Sequence, residues 1–328
     1  MMKKPLHEQL QLSITEINEL LLNIIQSDNE LQQPSLLYSS VERLILAGGK
    51  RLRPIMALVG GRFGDPSREH LAWKAAGLLE YLHMASLVHD DIIDKSPMRR
   101  GEQTLHEATD INIAVHTGNY MIARALEWSS SDDSIEEEFF MGTELAALIT
   151  ELCVGEYDQL QHRFDFNITL DQYLEKTKKK TALLMGASMS AGAKAAGASE
   201  GVTKRLYEFG EALGIAFQIQ DDLLDITSDT KQLGKPAASD LRSGNITLPY
   251  IYALEDESIK PLLLELHSEA SDEQFNQAIM AVTQSDAIER SRKLAEKYML
   301  KAKGIIDKFA NHPAQHDLEV LVAYFLKS

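Results

Sequence analysis

The sequence predicts an all-α protein, a large helical bundle formed as a single domain over residues 1–328. Three observations carry this. Apolar residues recur at helical spacing along nearly the whole chain, Gly and Pro punctuate those segments, and no alternating strand run, hairpin signal, low-complexity tract or linker interrupts them.

Leu6, Leu10, Ile14, Ile17, Leu21, Leu22 and Ile25 trace one face of an N-terminal helix. Further helices are predicted near 34–47, 51–63, 67–94, 111–129, 133–163, 170–198, 201–228, 246–266, 272–284, 286–310 and 314–327. Gly48-Gly49, Gly64-Asp65-Pro66, Ser96-Pro97, Gly234-Lys235-Pro236 and His312-Pro313 stand where helices should stop or start. The stretch 182–199 is rich in small residues and interrupted by Lys194. It is too weakly apolar to span a bilayer and reads as a tightly packed interior helix.

Composition narrows the function. With 328 residues and 44% hydrophobic content the chain can bury a large core. Acidic residues outnumber basic ones 49 to 33, a net charge of −16, which argues against a nucleic-acid partner. Cys153 is the only cysteine, so no internal disulfide framework exists and a reducing cytoplasm is the expected compartment. Met1-Met2-Lys3-Lys4 lacks an apolar stretch behind it, so no signal peptide is expected, and no transmembrane segment is read.

Two segments are near copies: Leu-Val-His-Asp-Asp-Ile-Ile-Asp at 87–94 and Gln-Ile-Gln-Asp-Asp-Leu-Leu-Asp at 218–225. In a helix Asp90 and Asp94 share a face, as do Asp221 and Asp225, and like charges at that spacing repel. Both sets lie near predicted helix C-termini, where the dipole disfavours carboxylates. Stability therefore did not place them. Oxygen-only sets of this kind suit Mg²⁺, which leaves coordination positions for water and phosphate. A solvated acidic face would not need the apolar Leu87, Val88, Ile92 and Ile93 around it.

The basic residues gather close to these triads. Gly48-Gly49-Lys50-Arg51-Leu52-Arg53-Pro54 offers a backbone free of Cβ atoms beside a lysine and an arginine fork. Met98-Arg99-Arg100-Gly101 follows the first triad, and adjacent arginines can hold separate anions. Lys180-Thr181 and Gly234-Lys235-Pro236-Ala237-Ala238-Ser239-Asp240-Leu241 complete the set. Together these are the parts for two diphosphates, one held through Mg²⁺ and one directly by Lys and Arg.

In this order, and with Phe217-Gln218 before the second triad, the motifs resemble the trans-isoprenyl diphosphate synthases, and the resemblance covers nearly the whole chain. It implies an all-α bundle around a deep central cavity, dimeric, joining an allylic diphosphate head to tail with isopentenyl diphosphate. It also implies Mg²⁺ on Asp90, Asp91, Asp94, Asp221, Asp222 and Asp225, with roughly three ions per site serving as Lewis acids and template once substrate is bound. By the same resemblance Arg99, Lys180, Thr181, Gln218 and Lys235 touch the allylic diphosphate, with Lys180 also counted among the catalytic groups. Lys50, Arg53, His83 and Arg100 hold isopentenyl diphosphate. His83, two turns before Asp90 on the same face, reads as a ligand, while His89 reads as structural. The released pyrophosphate serves as proton acceptor, so no side-chain base is required.

One position departs. Many members of the family carry a second Gly-Lys before Thr-Leu-Pro, where this chain has Gly244-Asn245. The Gly-Asn form resembles longer-chain bacterial synthases, including catalytic subunits of two-subunit hexaprenyl and heptaprenyl enzymes. A homodimer or a heterodimer with a small subunit is therefore expected. Product length is read from the helix before Asp90, where each turn advances about 5.4 Å, close to one isoprene unit. Ala85 and Ser86 stand where farnesyl-making members place aromatics, and Leu82 and Tyr81 lie one turn further back. The reading is a product of about six to eight isoprene units, grown from farnesyl or geranylgeranyl diphosphate, counted at one unit per helical turn. A geranylgeranyl synthase is the shorter alternative. A class I terpene cyclase shares the first triad but pairs it with an Asn/Ser/Glu motif, and a non-catalytic subunit would have lost Asp or Arg positions that are all present here.

Overall fold

Ser13, Ser35, Thr169 and Ser271 each stand immediately before a helix and accept a hydrogen bond from the amide three residues on. At Thr169 and Ser271 the glutamine at that third position reaches back to complete a capping box. The computed structural model describes residues 4–130, 142–227 and 238–326. Its helices are α1 (Leu6–Gln9), α2 (Ile14–Gln26), α3 (Leu36–Leu46), α4 (Leu52–Gly61), α5 (Glu69–Ile93), α6 (Leu105–Ala108), α7 (Ile111–Ser130) and α8 (Gly142–Gln161). They continue as α9 (Leu170–Thr177), α10 (Leu183–Ala195), α11 (Glu200–Thr227), α12 (Ser239–Arg242), α13 (Leu248–Ala253), α14 (Lys260–Leu264), α15 (Asp272–Thr283), α16 (Ala287–Ile306) and α17 (Gln315–Phe325). The predicted all-α class holds.

Four local readings need correction. The N-terminal helix is broken at Gln11, which takes a positive φ. The 246–266 segment divides into α13 and α14 around the turn after Leu254. Residues Lys178–Ala182 form a π-helical turn between α9 and α10. A hairpin that the sequence did not announce pairs β1 (Met98–Arg99) with β2 (Glu102–Gln103) through Arg100 and Gly101, both at positive φ as in a two-residue hairpin turn. Strands of two residues leave no alternating pattern to read.

The chain divides into two compact units. Unit 1 takes residues 1–147, 187–207 and 311–320; unit 2 takes 148–186, 208–310 and 321–328. In unit 1, α5 packs against α4 and α7. The 182–199 stretch is interior as expected: Met189, Ala191, Ala193 and Ala195 are buried, and a Cβ at Gly192 would collide with the Ala57 carbonyl. Only glycine permits that approach of α10 to α4. In unit 2, Ile215, Ile219, Leu223 and Ile226 from one face of α11 join Tyr173, Leu248, Phe275 and Ala287 in one core. Each Asp triad ends a long helix, α5 in unit 1 and α11 in unit 2.

Candidate active site

Unit 1 holds the first triad and most of the basic motifs. Gly48 and Gly49 turn the chain at φ 70° and 138° into α4. A Cβ at Gly49 would collide with the guanidinium of Arg100, whose Nη1 donates to the Gly48 carbonyl. The glycine turn is thus the seat of Arg100. Arg51, between the expected ligands Lys50 and Arg53, does something else. It is fully buried, bridging Glu80 at 2.9 Å, Asn18 at 3.0 Å and the Ile45 carbonyl at 2.6 Å. It locks the loop to α2, α3 and α5. Lys50 is exposed.

Arg53 and His83 stand in the electrostatic field of Arg100. Among the described residues Arg53 Nε is buried with no hydrogen-bond partner. Burial pulls the Arg53 guanidinium below its ordinary pKa; Glu80 opposes this and Arg100 adds to it. Half-buried His83 is held well below the usual imidazole range, first by desolvation and then by Arg53, Arg100, Arg99 and Arg51. An imidazole kept neutral by desolvation and the field of four arginines, together with an unsatisfied donor on Arg53, describes a place that favours an anion.

The three aspartates of the first triad are not equivalent. Asp91 is buried, and Arg99 Nε donates to its Oδ1 at 2.7 Å. Burial raises the Asp91 pKa, and Arg99 is the largest influence pulling it back. Asp90 is half-buried and Asp94, the C-cap of α5, is exposed. Asp91, Arg99 and Arg100 also line a cavity of about 380 Å³ beside Leu44, Leu87 and Val88. The His89 ring lies against Gly118 of α7.

The residues upstream of Asp90 are mostly interior. Ala85 and Tyr81 are fully buried and Leu82 nearly so. Ser86 is half-buried and donates to the His83 carbonyl at 2.9 Å. The Tyr81 ring packs 5.1 Å from that of Trp128 on α7.

Unit 2 holds the second triad in a hydrogen-bonded chain. Thr181 Oγ1 donates to Gln218 Oε1 at 2.6 Å, Gln218 Nε2 donates to Asp222 Oδ1 at 2.9 Å, and the Tyr173 hydroxyl donates to Asp222 Oδ2 at 2.6 Å. Asp222 is buried; desolvation first, then Asp240, pushes its pKa up to about 7 against the two hydrogen bonds and Lys176. Asp225 accepts from Ser239 Oγ at 2.8 Å and from the Asp240 amide at 3.1 Å, which ties the end of α11 to α12. Asp221 is exposed. Lys180 lies on the π-helical turn near Glu156 at 3.4 Å and Gln159 at 3.1 Å. Such turns recur at functional sites.

Thr181 and Gln218, expected to touch the allylic diphosphate, stand in the hydrogen-bonded chain that ends on Asp222. Sequence reasoning missed Tyr173 and Lys176, whose only signal was their position on the α9 turns preceding Lys180. Lys235 lies outside the described residues. Among the described residues no three His, Cys, Asp or Glu side chains are grouped to hold a metal. The donors nonetheless fit a hard divalent cation: all are carboxylate oxygens, and Asp90 and Asp94 are one turn apart on one helix face. No helix among the described residues is long and apolar enough to cross a membrane.

Comparison with known proteins gives the family. A family model described as polyprenyl synthetase matches residues 34–282. Heptaprenyl diphosphate synthase component 2 of Geobacillus stearothermophilus is 42% identical over 284 residues, covering 87% of each chain. Among solved structures, heptaprenyl diphosphate synthase from Staphylococcus aureus superposes with a TM-score of 0.84 at 31% identity, covering 96% of this chain and 98% of that one. A polyprenyl synthase from Caulobacter crescentus CB15, complexed with calcium and isoprenyl diphosphate, gives 0.84 at 30% identity over 99% of both chains.

Proposed function

We propose that this chain, a prenyl diphosphate synthase belonging to the polyprenyl synthetase family, condenses isopentenyl diphosphate head to tail with an allylic diphosphate in a Mg²⁺-dependent reaction. The whole chain serves as one synthase domain. The observation that carries the reading is the unit 1 cradle, where the unpartnered Arg53 Nε, neutral His83 and Arg100 seated on the glycine turn favour a diphosphate.

In this reading Lys50, Arg53, His83 and Arg100 bind isopentenyl diphosphate. Arg99, Lys180, Thr181, Gln218 and Lys235 orient the allylic diphosphate. The six aspartates 90, 91, 94, 221, 222 and 225 provide the metal-binding carboxylates, Asp90, Asp94 and Asp221 as the more accessible ones. Bound Mg²⁺ supplies Lewis-acid stabilisation of the departing pyrophosphate. The Arg99–Asp91 pair keeps a cation beside that charge and sets the direction of Asp91. The allylic C–O bond breaks, the isopentenyl double bond forms the new C–C bond, and a proton leaves to the released pyrophosphate. The solved Caulobacter relative with calcium and isoprenyl diphosphate supports a divalent ion in this chemistry.

The heptaprenyl relatives and the small Ala85 and Ser86 support a product of about six to eight isoprene units, at one unit per helical turn. Farnesyl or geranylgeranyl diphosphate is the starter. The Geobacillus relative is named a component 2, which supports a partner component over a homodimer. The lone cysteine supports a cytoplasmic setting. Asp90→Ala and Asp221→Ala test the reading: each should abolish isopentenyl diphosphate consumption while leaving the melting midpoint within a few degrees. Near-normal turnover in either variant would sink the metal-site assignment.

A further inference from the structure

In unit 2 a lysine outside the sequence-predicted site lies between the second triad and the one position where the chain departs from the family pattern. Lys176 Nζ donates to Asn245 Oδ1 at 2.6 Å and to the Ile246 carbonyl at 3.4 Å. It stands 5.7 Å from the ring centroid of Tyr173, the residue whose hydroxyl holds Asp222. Asp222, Asp240 and Glu156 attract its charge, Lys180 opposes it, and desolvation is the largest influence on it.

An amide oxygen at 245 accepts from the ammonium; a second ammonium in that place would repel it in a poorly screened setting. Positions 176 and 245 therefore share room for one positive charge. We propose that Lys176 supplies, from α9, the charge this chain lacks at 245, and that Asn245 holds it as a positioning residue for the allylic diphosphate. This rests on the synthase reading above for the identity of the substrate, but not for the charge exchange.

The test uses the purified full chain with Lys176→Met, Lys176→Arg, Asn245→Lys and the double variant Lys176→Met/Asn245→Lys. Binding of inorganic pyrophosphate with Mg²⁺ is measured by calorimetry, alongside melting midpoints and the KM of each prenyl substrate. Lys176→Met and Asn245→Lys should each weaken pyrophosphate binding about tenfold, while Lys176→Arg and the double variant return it to within about threefold of the parent. The KM for the allylic substrate should follow this order and that for isopentenyl diphosphate should not. A double variant no tighter than Asn245→Lys overturns the proposal, and that comparison holds even if Lys176→Met does not fold. Prenyl transfer by the parent with no binding change in the variants refutes the charge exchange alone. A parent without prenyl transfer whose variants still show the exchange refutes the synthase reading alone.

Discussion

The Tyr173 hydroxyl donates to Oδ2 of Asp222 at 2.6 Å, so a buried carboxylate of the second triad is aimed by a residue of α9. Tyr173→Phe removes one of the two side-chain hydrogen bonds on that carboxylate, the other coming from Gln218. Leaving such an acceptor short costs about 1–3 kcal/mol. Urea unfolding should show that loss, and half-saturation of turnover should require more Mg²⁺. Unchanged stability would mean the hydroxyl does not hold Asp222.

Arg51 stands inside the Gly-Gly-Lys-Arg motif but is structural. Its guanidinium is buried with Glu80 at 2.9 Å. Arg51→Ala strands that acid, and breaking a buried pair costs about 3–5 kcal/mol. Arg51→Met combined with Glu80→Leu should lose much less than the sum of the two single changes, measured by urea unfolding. Additive losses would show that the pair is not coupled.

Gly49 takes φ 138° and leaves space that the Arg100 guanidinium fills. Gly49→Ala should displace Arg100 and raise the KM for isopentenyl diphosphate about tenfold, equivalent to one charge-assisted contact. The KM for the allylic substrate should stay within a factor of two or so, as that contact is not made to it. Equal rises in both constants would contradict the division of the basic residues.

His83 is neutral in the folded protein because burial and four arginines disfavour its protonation. Its folded pKa lies below the unfolded value near 6.5, so the unfolded chain binds more protons between the two. Stability should therefore fall as pH drops through and below about 6.5, and His83→Gln should flatten that slope. Unfolding midpoints from pH 5 to 7.5 measure it, and an unaltered slope in the variant would assign the effect elsewhere.

Much of this was legible in the sequence because helices repeat every few residues and the triads are contiguous. The ends of α5 and α11 follow from Ser96-Pro97 and from the polar residues after Asp225. The roles of single aspartates were not legible. Asp91 meets Arg99 only because the chain turns back after α5, through Lys95 at positive φ, into a strand two residues long. Asp225 meets Ser239 and Asp240 across a chain separation that carries no periodic signal. Lys176 shows its meaning only when Asn245, on a distant segment, is set against it.

Ala85 is fully buried on α5, one turn and a half before Asp90. Ala85→Phe should shorten the product, and overpacking should cost about 1–3 kcal/mol of stability. Reversed-phase sizing of the dephosphorylated products reads the first and urea unfolding the second. An unchanged product distribution would remove α5 from control of chain length.

The central claim is head-to-tail prenyl transfer to a medium-length product. Its most direct measurement incubates the purified chain with Mg²⁺, farnesyl diphosphate and labelled isopentenyl diphosphate, alone and with the other component of the Geobacillus synthase, and sizes the product. The account predicts Mg²⁺-dependent incorporation ending at about six to eight isoprene units, one per turn of the helix that measures it. Isopentenyl diphosphate left unconsumed in both incubations would contradict it.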